Sequence, residues 1–139
     1  MQMDQDCIFC KIVAGQIPSV KIYEDDSVLA FMDIGPVSPG HVLLIPKAHY
    51  KNAADCPPEI LASAASVMGQ LAKAVSEAMG SDGYNILCNN GRAAGQLVDH
   101  VHFHIIPRSS GDGIFNRWPA FEYPSGRAKE LADKIRAKL

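Results

Sequence analysis

Several features that mark particular protein classes are scarce or absent in this 139-residue sequence. Its 13 Lys and Arg residues are outnumbered by 15 Asp and Glu residues, and the net charge of -2 argues against sequence-independent binding to a nucleic-acid polymer. No apolar run approaches the roughly 20 residues that a membrane-spanning helix needs. The first six residues are polar and acidic, whereas a secretory signal begins basic and continues apolar. We therefore expect a cytoplasmic protein that does not bind membranes.

Cysteine is also sparse, with four residues in the chain: Cys7, Cys10, Cys56 and Cys88. In a reducing compartment these residues are not expected to form disulfides. Cys56 and Cys88 stand alone in the sequence and are predicted to be buried free thiols. The Cys7 and Cys10 pair has Cys-x-x-Cys spacing, which indicates either half of a metal site or a redox pair. A thioredoxin-like redox pair would follow a strand of a βαβ unit, and the sequence predicts no such unit here.

Apolar patterns and turn residues predict a single α+β domain. The predicted strands are residues 20–24, 28–33, 41–45, 84–89 and 101–106. Apolar residues recur at helical spacing from Leu61 to Met79, with prolines 57 and 58 before them and Gly80 after them. A final helix is predicted from about Ser125. Short connections between consecutive strands favour an antiparallel or mixed sheet. We expect the long alanine-rich helix to pack on this sheet, and part of it is a candidate dimer interface.

Three of the five histidines stand at alternate positions, as His100, His102 and His104. Because side chains of a strand alternate between its two faces, these three imidazoles are predicted to share one face, roughly 6.6 Å apart. The intervening apolar residues are predicted to face the core. A purely structural role, a metal site formed by the three histidines, and a nucleophilic or acid–base site are the alternatives, and we favour the last.

A neutral imidazole has a free ring nitrogen that can act as a nucleophile near neutral pH. Phosphoryl transfer requires mainly an aligned nucleophile and hydrogen-bond donors around the phosphate oxygens. The loop before the histidines offers such donors in Asn89, Gln96 and the backbone amides around Gly95. Glycine there would let the backbone approach a phosphate closely.

Six ordered motifs give the sequence a resemblance to the histidine triad superfamily over residues 7–108. The segment His-Val-His-Phe-His-Ile-Ile at residues 100–106 is similar to the family signature. The other motifs are Ile-Phe-Cys-Lys-Ile at 8–12, Ala-Phe-Met-Asp-Ile at 30–34, Pro-Gly-His-Val-Leu-Leu-Ile-Pro-Lys at 39–47, Asn-Asn-Gly at 89–91 and Gly-Gln at 95–96. The resemblance is greatest to the Hint branch and its bacterial relatives. It implies a five-stranded antiparallel sheet with one long helix, shorter terminal helices and a C-terminal extension over residues 109–139.

The resemblance also implies roles for particular residues. His102 would attack the α-phosphorus of a purine nucleotide conjugate to form a covalent nucleotidyl-histidine, which water would hydrolyse. His104 would lie by the phosphate and His41 behind the nucleophile, completing the catalytic set. Asp33 would bind the ribose hydroxyls. The nucleotide-binding residues implied in full are Ile8, Phe9, Phe31, Asp33, Ile34, Asn89, Gly95, Gln96, Val98, His102 and His104, with Ile12 also lining the base pocket.

Bacterial members of the family that resemble this chain bind zinc through two cysteines and two histidines. The corresponding residues here are Cys7, Cys10, His49 and His100, and a closed site of four ligands would be structural. The family is typically a homodimer. Where relatives often have Ser or Thr after Gly-Gln, this chain has Leu97, so a hydroxyl near the leaving group would be missing. A C-terminal Trp reaches the partner's site in Hint-like dimers, but the longer spacing of Trp118 leaves its role open.

Function therefore has one leading interpretation and several alternatives. The leading interpretation is a nucleotide hydrolase or phosphoramidase that acts at the α-phosphate. A dinucleoside polyphosphate hydrolase is a variant of the same chemistry. A regulatory module that binds purine nucleotides without turnover belongs to a different class. A metal-dependent enzyme with the histidine triad as ligands would need a nearby carboxylate, and Asp99 is predicted to point to the opposite face.

Overall fold

A computed structural model describes residues 1–115 and 117–139 of the chain. These residues form five strands, three α-helices and one short 3-10 helix at residues 92–94. In chain order the main elements are α1 (Ile8–Val13), β1 (Lys21–Glu24), β2 (Val28–Met32), β3 (Val42–Pro46), α2 (Pro58–Met79), β4 (Gly83–Leu87), β5 (Phe103–Arg108) and α3 (Arg127–Arg136).

The five strands form one antiparallel sheet in the order β1-β2-β3-β5-β4. Strand β5 lies inside the sheet, where His104 is paired with Leu43 of β3 on one side and Leu87 of β4 on the other. This topology confirms the predicted α+β fold with its five-stranded antiparallel sheet, long helix and shorter terminal helices. It also places the histidine segment between two strands that hold it from both sides.

The sheet separates two hydrophobic clusters because neighbouring side chains of each strand point to opposite faces. Leu29 of β2 and Leu43 of β3 pack with helix α1. Ala30 and Leu44, one residue further along each strand, pack with helix α2. Phe103 and Ile105 of β5 join the α2 side, as the alternating pattern predicted. The face that carries α1 is therefore the face left for the histidines.

Helix α2 covers the other face with a stripe of small and aliphatic residues. Its buried residues are Ala64, Leu71, Ala72 and Val75. The helix begins at Pro58 and is followed by Gly80, whose φ of 60° is the left-handed conformation that ends many helices. The predicted boundaries and the packing on the chain's own sheet are confirmed, whereas a share of α2 in a dimer interface stays a prediction.

The histidine strand begins two residues later than the sequence predicted. Strand β5 starts at Phe103 rather than at Val101, so His100 and His102 precede the regular ladder. The backbone bends there because the His100 N–H bonds to the Val98 carbonyl and the Val101 N–H bonds to the Tyr50 carbonyl. Both imidazoles nevertheless stay on the α1 side.

The described residues after β5 contribute little to this core. Helix α3 buries none of its residues, and Trp118 is 91% exposed. None of the helices in the two described ranges has the length and apolar character that crossing a membrane requires. All four cysteines are free thiols, and Cys56 is buried as predicted, whereas Cys88 is only partly buried.

Candidate functional site

A cleft opens on the α1 side of the sheet, between α1, the ends of β2 and β5 and the loop before the histidines. Nine of the eleven predicted nucleotide-binding residues line it: Ile8, Phe9, Phe31, Asp33, Ile34, Gly95, Val98, His102 and His104. Most of these side chains are apolar, and the polar groups gather at the end where His102, His104 and Asp33 meet. The cleft thus has an apolar part that suits a planar base and a polar part that suits a phosphate.

Sequence reasoning missed several lining residues. Ile17, Pro18 and Ser19 line the cleft where the chain returns from α1 to the sheet, and Met32 and Leu43 also line it. The helix-breaking Ile-Pro step after α1 was a usable signal for this turn. Leu97, noted in the sequence as an unusual residue, lies at the cleft with 80% of its surface exposed.

The imidazole of His102 is fixed by two contacts that leave one ring nitrogen free. Its Nδ1 lies 2.7 Å from the carbonyl oxygen of His100. Since a carbonyl only accepts, Nδ1 must carry the hydrogen, and the lone pair of the neutral ring is then on Nε2. The ring of Phe9 packs against His102 edge to face, with centroids 5.2 Å apart. The side chain is 5% exposed and lines the cleft, so a defined nucleophile is presented there.

A second chain of hydrogen bonds fixes His41 and His104. The Val37 N–H donates to Nδ1 of His41, which therefore has its hydrogen on Nε2. That Nε2–H lies 2.9 Å from Nδ1 of His104, which must then accept. The remaining hydrogen of His104 is accordingly on its Nε2. Asp33 lies at the same junction, with Oδ2 3.5 Å from Nε2 of His41.

These tautomers require neutral imidazoles, and the surroundings favour the neutral form. Burial, together with the neighbouring His102 and His41, lowers the pKa of His104 to about 4. Burial also lowers the pKa of His41, against the opposing charge of Asp33. Burial lowers the pKa of His102 as well, opposed by its hydrogen bond to the His100 carbonyl. Each ring thus has one donor and one acceptor at neutral pH.

The residues of the loop before the histidines that were predicted to bind phosphate lie in different positions. Gln96 is 1% exposed, and its side chain accepts from the Gly91 N–H and donates to the carbonyls of Lys51 and Val98. Gln96 does not line the cleft, because its amide is already bonded to Gly91 and Val98 of the same loop and to Lys51, which lies 45 residues earlier. Gly95 does line it, and its φ of 91° is a left-handed conformation that favours glycine. Asn89 does not line the cleft either, but its side-chain amide lies next to Gly95, 3.5 Å from where a Cβ of that residue would be.

Four predicted metal ligands converge on one point beside the cleft. Cys7, Cys10, His49 and His100 place one ligand atom each within 4.8 Å of the others. The Nδ1 atom of His100 lies 3.5 Å from the Cys7 sulfur and 3.6 Å from the Cys10 sulfur, and Nδ1 of His49 lies 3.4 Å from the Cys10 sulfur. Zinc bonded tetrahedrally to sulfur and nitrogen would separate them by about 3.6 Å. The residues therefore fit a zinc ion.

The tautomer of His100 also suits metal binding. Its Nε2 lies 2.8 Å from the Pro46 carbonyl and so carries the hydrogen, which leaves Nδ1 free to face the sulfurs. Burial raises the pKa of Cys10 to about 11, so its thiol would lose a proton when a metal binds.

A second group of potential ligands, formed by Asp33, His41 and His104, fits a metal poorly. The Val37 N–H occupies Nδ1 of His41, so a metal on Nε2 would have to displace the only proton of that ring. This argues against a metal held by the histidine triad. The three histidines instead belong to two sites: His100 lies with the cysteines, and His102 and His104 line the cleft. Asp99, exposed and near Lys51 and Arg92, contributes to neither group.

The fold, the histidine segment and the cleft define a histidine triad protein, and the sequence agrees: residues 14–111 match the HIT domain. The chain belongs to this family. It is 46% identical over 134 residues to an adenosine 5'-monophosphoramidase of Schizosaccharomyces pombe, covering 96% of this chain and 98% of the relative. It is 46% identical over 113 residues to an adenylylsulfatase of Arabidopsis thaliana, covering 81% of this chain but only 57% of that longer protein.

Solved structures share the architecture. A protein of Streptococcus mutans superposes with a TM-score of 0.93 at 42% identity, covering 99% of this chain and 90% of that one. A zinc-bound histidine triad family protein of Mycobacterium smegmatis superposes with a TM-score of 0.74 at 38% identity, covering 95% and 97% of the two chains. The division of residues 1–139 into a core at 7–108 and an extension at 109–139 stays a prediction.

Proposed function

We propose that this chain hydrolyses purine nucleotide conjugates at the α-phosphate, with nucleoside phosphoramidates as its main substrates. The observation that carries the proposal is the free Nε2 of His102, held in a cleft whose remaining walls are largely apolar. The similarity to a relative named as an adenosine 5'-monophosphoramidase supports the same substrate class. A binding module without turnover would not require a nucleophile with a fixed tautomer.

In the proposed reaction the lone pair of His102 Nε2 forms a bond to the α-phosphorus as the bond from phosphorus to the leaving nitrogen breaks. The amine departs with the bonding pair and takes up a proton from solvent. The imidazole then carries a positive charge, which the His100 carbonyl stabilises through Nδ1–H. Water next attacks phosphorus and gives up a proton to solvent, the P–N bond returns its electron pair to Nε2, and a nucleoside monophosphate is released.

The other cleft residues would each bind a different part of the substrate. His104 would donate its Nε2–H to a phosphate oxygen, and the side chain of Asn89 would be a second donor. The backbone amides around Gly95, expected from the sequence to be donors, are already bonded, with the Gly95 N–H donating to the Arg92 carbonyl, so Gly95 would only leave room for the phosphate. Asp33 would accept hydrogen bonds from the ribose hydroxyls. Gln96 would act indirectly by holding the loop. The base would lie among apolar residues, namely Ile8, Phe9, Ile12, Phe31, Ile34 and Val98.

Cys7, Cys10, His49 and His100 would hold a zinc ion, supported by their fit to a tetrahedron and by the zinc-bound relative. A bound zinc ion with four protein ligands would be structural and would tie α1 to the sheet. Thiolate ligands persist in a reducing compartment, in line with the predicted cytoplasmic location. His100 would serve both regions, with its side chain on the metal and its carbonyl on His102.

A panel of substrates ranked by kcat/KM tests the proposed function. It contains adenosine and guanosine phosphoramidates, diadenosine polyphosphates and adenosine 5'-phosphosulfate, the last because an adenylylsulfatase is among the relatives. We expect the phosphoramidates to rank first, since no Lys or Arg stands among the residues that line the cleft, and the additional phosphate groups of a diadenosine polyphosphate would need such a cation. Higher kcat/KM for diadenosine polyphosphates would favour the alternative hydrolase.

His41 supplies a further prediction, because it sets the tautomer of His104. We expect His41→Asn to lower kcat by about two orders of magnitude while KM changes little, since a donor to the phosphate is lost from the reaction step. Nitrogen-15 NMR of the His104 ring should show loss of the pure Nε2–H form. Ser38→Ala is the matched control, because Ser38 lies in the same loop and, among the described residues, its hydroxyl bonds to the Pro107 carbonyl and to none of the histidines, while its backbone bond to His41 is kept. An unchanged His104 tautomer in His41→Asn would contradict the assignment.

We also infer a homodimer. Strand β4 is an edge of the sheet described here, and Tyr84 and Ile86 on it are 46% and 38% exposed. Such an edge is a template for pairing with another strand. Sedimentation at twice the chain mass of 15.0 kDa would support this inference, and sedimentation at the chain mass would refute it.

A further inference from the structure

The segment before α1 wraps around the proposed zinc ligands through several bonds. The His49 N–H donates to the Gln2 carbonyl over 2.7 Å, and the Cys7 N–H donates to the Asp4 carbonyl over 3.2 Å. The Asp4 N–H lies 3.4 Å from the Cys10 sulfur. Three of the four proposed ligands, Cys7, Cys10 and His49, are thus contacted by residues 2–4.

The carboxylate of Asp4 is aimed at His49. Its Oδ1 accepts from the Asp6 N–H over 2.8 Å, which orients the group. Its Oδ2 lies 3.7 Å from Nε2 of His49, the ring nitrogen opposite the one that faces the Cys10 sulfur. A metal on Nδ1 leaves the hydrogen of the neutral imidazole on Nε2, next to this carboxylate.

The other histidine ligand also has an oxygen behind its ring, but a closer one, since 2.8 Å separates His100 Nε2 from the Pro46 carbonyl and 3.7 Å separates His49 Nε2 from Asp4 Oδ2. Nε2–H of His100 is held by the Pro46 carbonyl, so each imidazole has an oxygen acceptor behind it. Such outer partners fix the ring orientation and raise the basicity of the ligating nitrogen. Asp4 differs from the Pro46 carbonyl because it brings a full negative charge, and its backbone N–H also stabilises the sulfur of Cys10.

We propose that Asp4 is a positioning residue of the zinc site, which holds His49 for the metal through its carboxylate and Cys10 through its amide. The inference rests on the proposed zinc ligands and extends them to a segment to which sequence analysis gave no role. It predicts that the affinity for zinc depends on Asp4 although Asp4 itself is not a ligand.

Competition for Zn²⁺ against a chromophoric chelator measures this affinity directly. We expect Asp4→Asn and Asp4→Ala to weaken zinc binding by about tenfold to a hundredfold, as loss of an outer partner does in other metal sites. Asp6→Asn and Asp6→Ala are matched controls, because Asp6 carries the same charge in the same segment while its carboxylate makes no bond among the described residues. Circular dichroism of the zinc-loaded proteins checks that all variants fold.

Equal zinc affinity in the Asp4 and Asp6 variants would overturn the role of Asp4 and leave the zinc site standing. A wild-type protein that does not compete with the chelator would overturn both the zinc site and this inference. Faster loss of zinc from the Asp4 variants alone, followed by the absorbance of the chelator, would support the proposal independently of any measurement of catalysis.

Discussion

His102→Ala is expected to lower the rate of phosphoramidate hydrolysis by about four to six orders of magnitude, the loss typical of removing a catalytic nucleophile. The affinity for a purine nucleoside monophosphate should stay within a few-fold of wild type, because the apolar walls and Asp33 remain in place. Single-turnover kinetics would measure the chemical step, and calorimetric titration with the monophosphate would measure binding.

Trapping the covalent nucleotidyl-histidine intermediate would test directly whether His102 is the nucleophile. Rapid denaturation of the wild-type protein during turnover should yield a nucleotidyl adduct whose mass and fragment spectrum place it on His102. An adduct on another residue, or undiminished turnover in His102→Ala, would contradict the mechanism. Absence of turnover in the wild-type protein, with nucleotide binding retained, would favour a regulatory binding module instead.

The properties that depend on local periodicity were predictable from the sequence. Helix α2 was defined by its apolar spacing and by Pro58 and Gly80 at its two ends, and the structure has both boundaries there. The separation of His104 from Phe103 and Ile105 onto opposite faces followed from the two-residue repeat of a strand. The resemblance to the family then predicted most of the residues that line the cleft, because the family motifs include residues from several helices, strands and loops.

Properties that depend on the direction of individual backbone N–H and carbonyl groups were not predictable in this way. The Val37 amide that sets the tautomer of His41 has no signature in the side-chain sequence, and neither does the Pro46 carbonyl behind His100. Gln96 was predicted to face a phosphate, yet its side-chain amide bonds to three backbone groups, the Gly91 N–H and the carbonyls of Lys51 and Val98. The sequence shows which side chains can donate hydrogen bonds, but the direction in which each side chain points depends on the conformation of the folded loops.

The start of β5 shows the same limit. An alternating pattern from residue 100 onward predicts a strand, but the Tyr50 carbonyl accepts the Val101 N–H and keeps this residue out of the ladder. The bend turns the His100 side chain to Cys7 and Cys10 and its carbonyl to His102. One residue thereby links the metal ligands to the nucleophile, a connection that a regular strand would not predict.

Because of this link, removing zinc is expected to affect both stability and catalysis. A ligand present at about 1,000 times its dissociation constant stabilises the folded state by about 4 kcal/mol, so the Cys7→Ser/Cys10→Ser variant should lose zinc and melt at least about 10 °C lower. Phe9 lies between the two cysteines on α1 and packs on His102, so its displacement should also lower kcat. Scanning calorimetry, metal analysis and single-turnover kinetics measure the three effects.

The Cys56→Ala/Cys88→Ala variant is the matched control, because it removes two thiols that lie outside the proposed site. It should retain one zinc ion per chain and wild-type kcat, although loss of the buried Cys56 side chain lowers the melting temperature modestly. If zinc stabilises the protein through the four ligands, chelator should lower the melting temperature of this control and of wild type equally, and should leave that of Cys7→Ser/Cys10→Ser unchanged. A chelator effect that persists in the last variant would place the stabilising metal elsewhere in the chain.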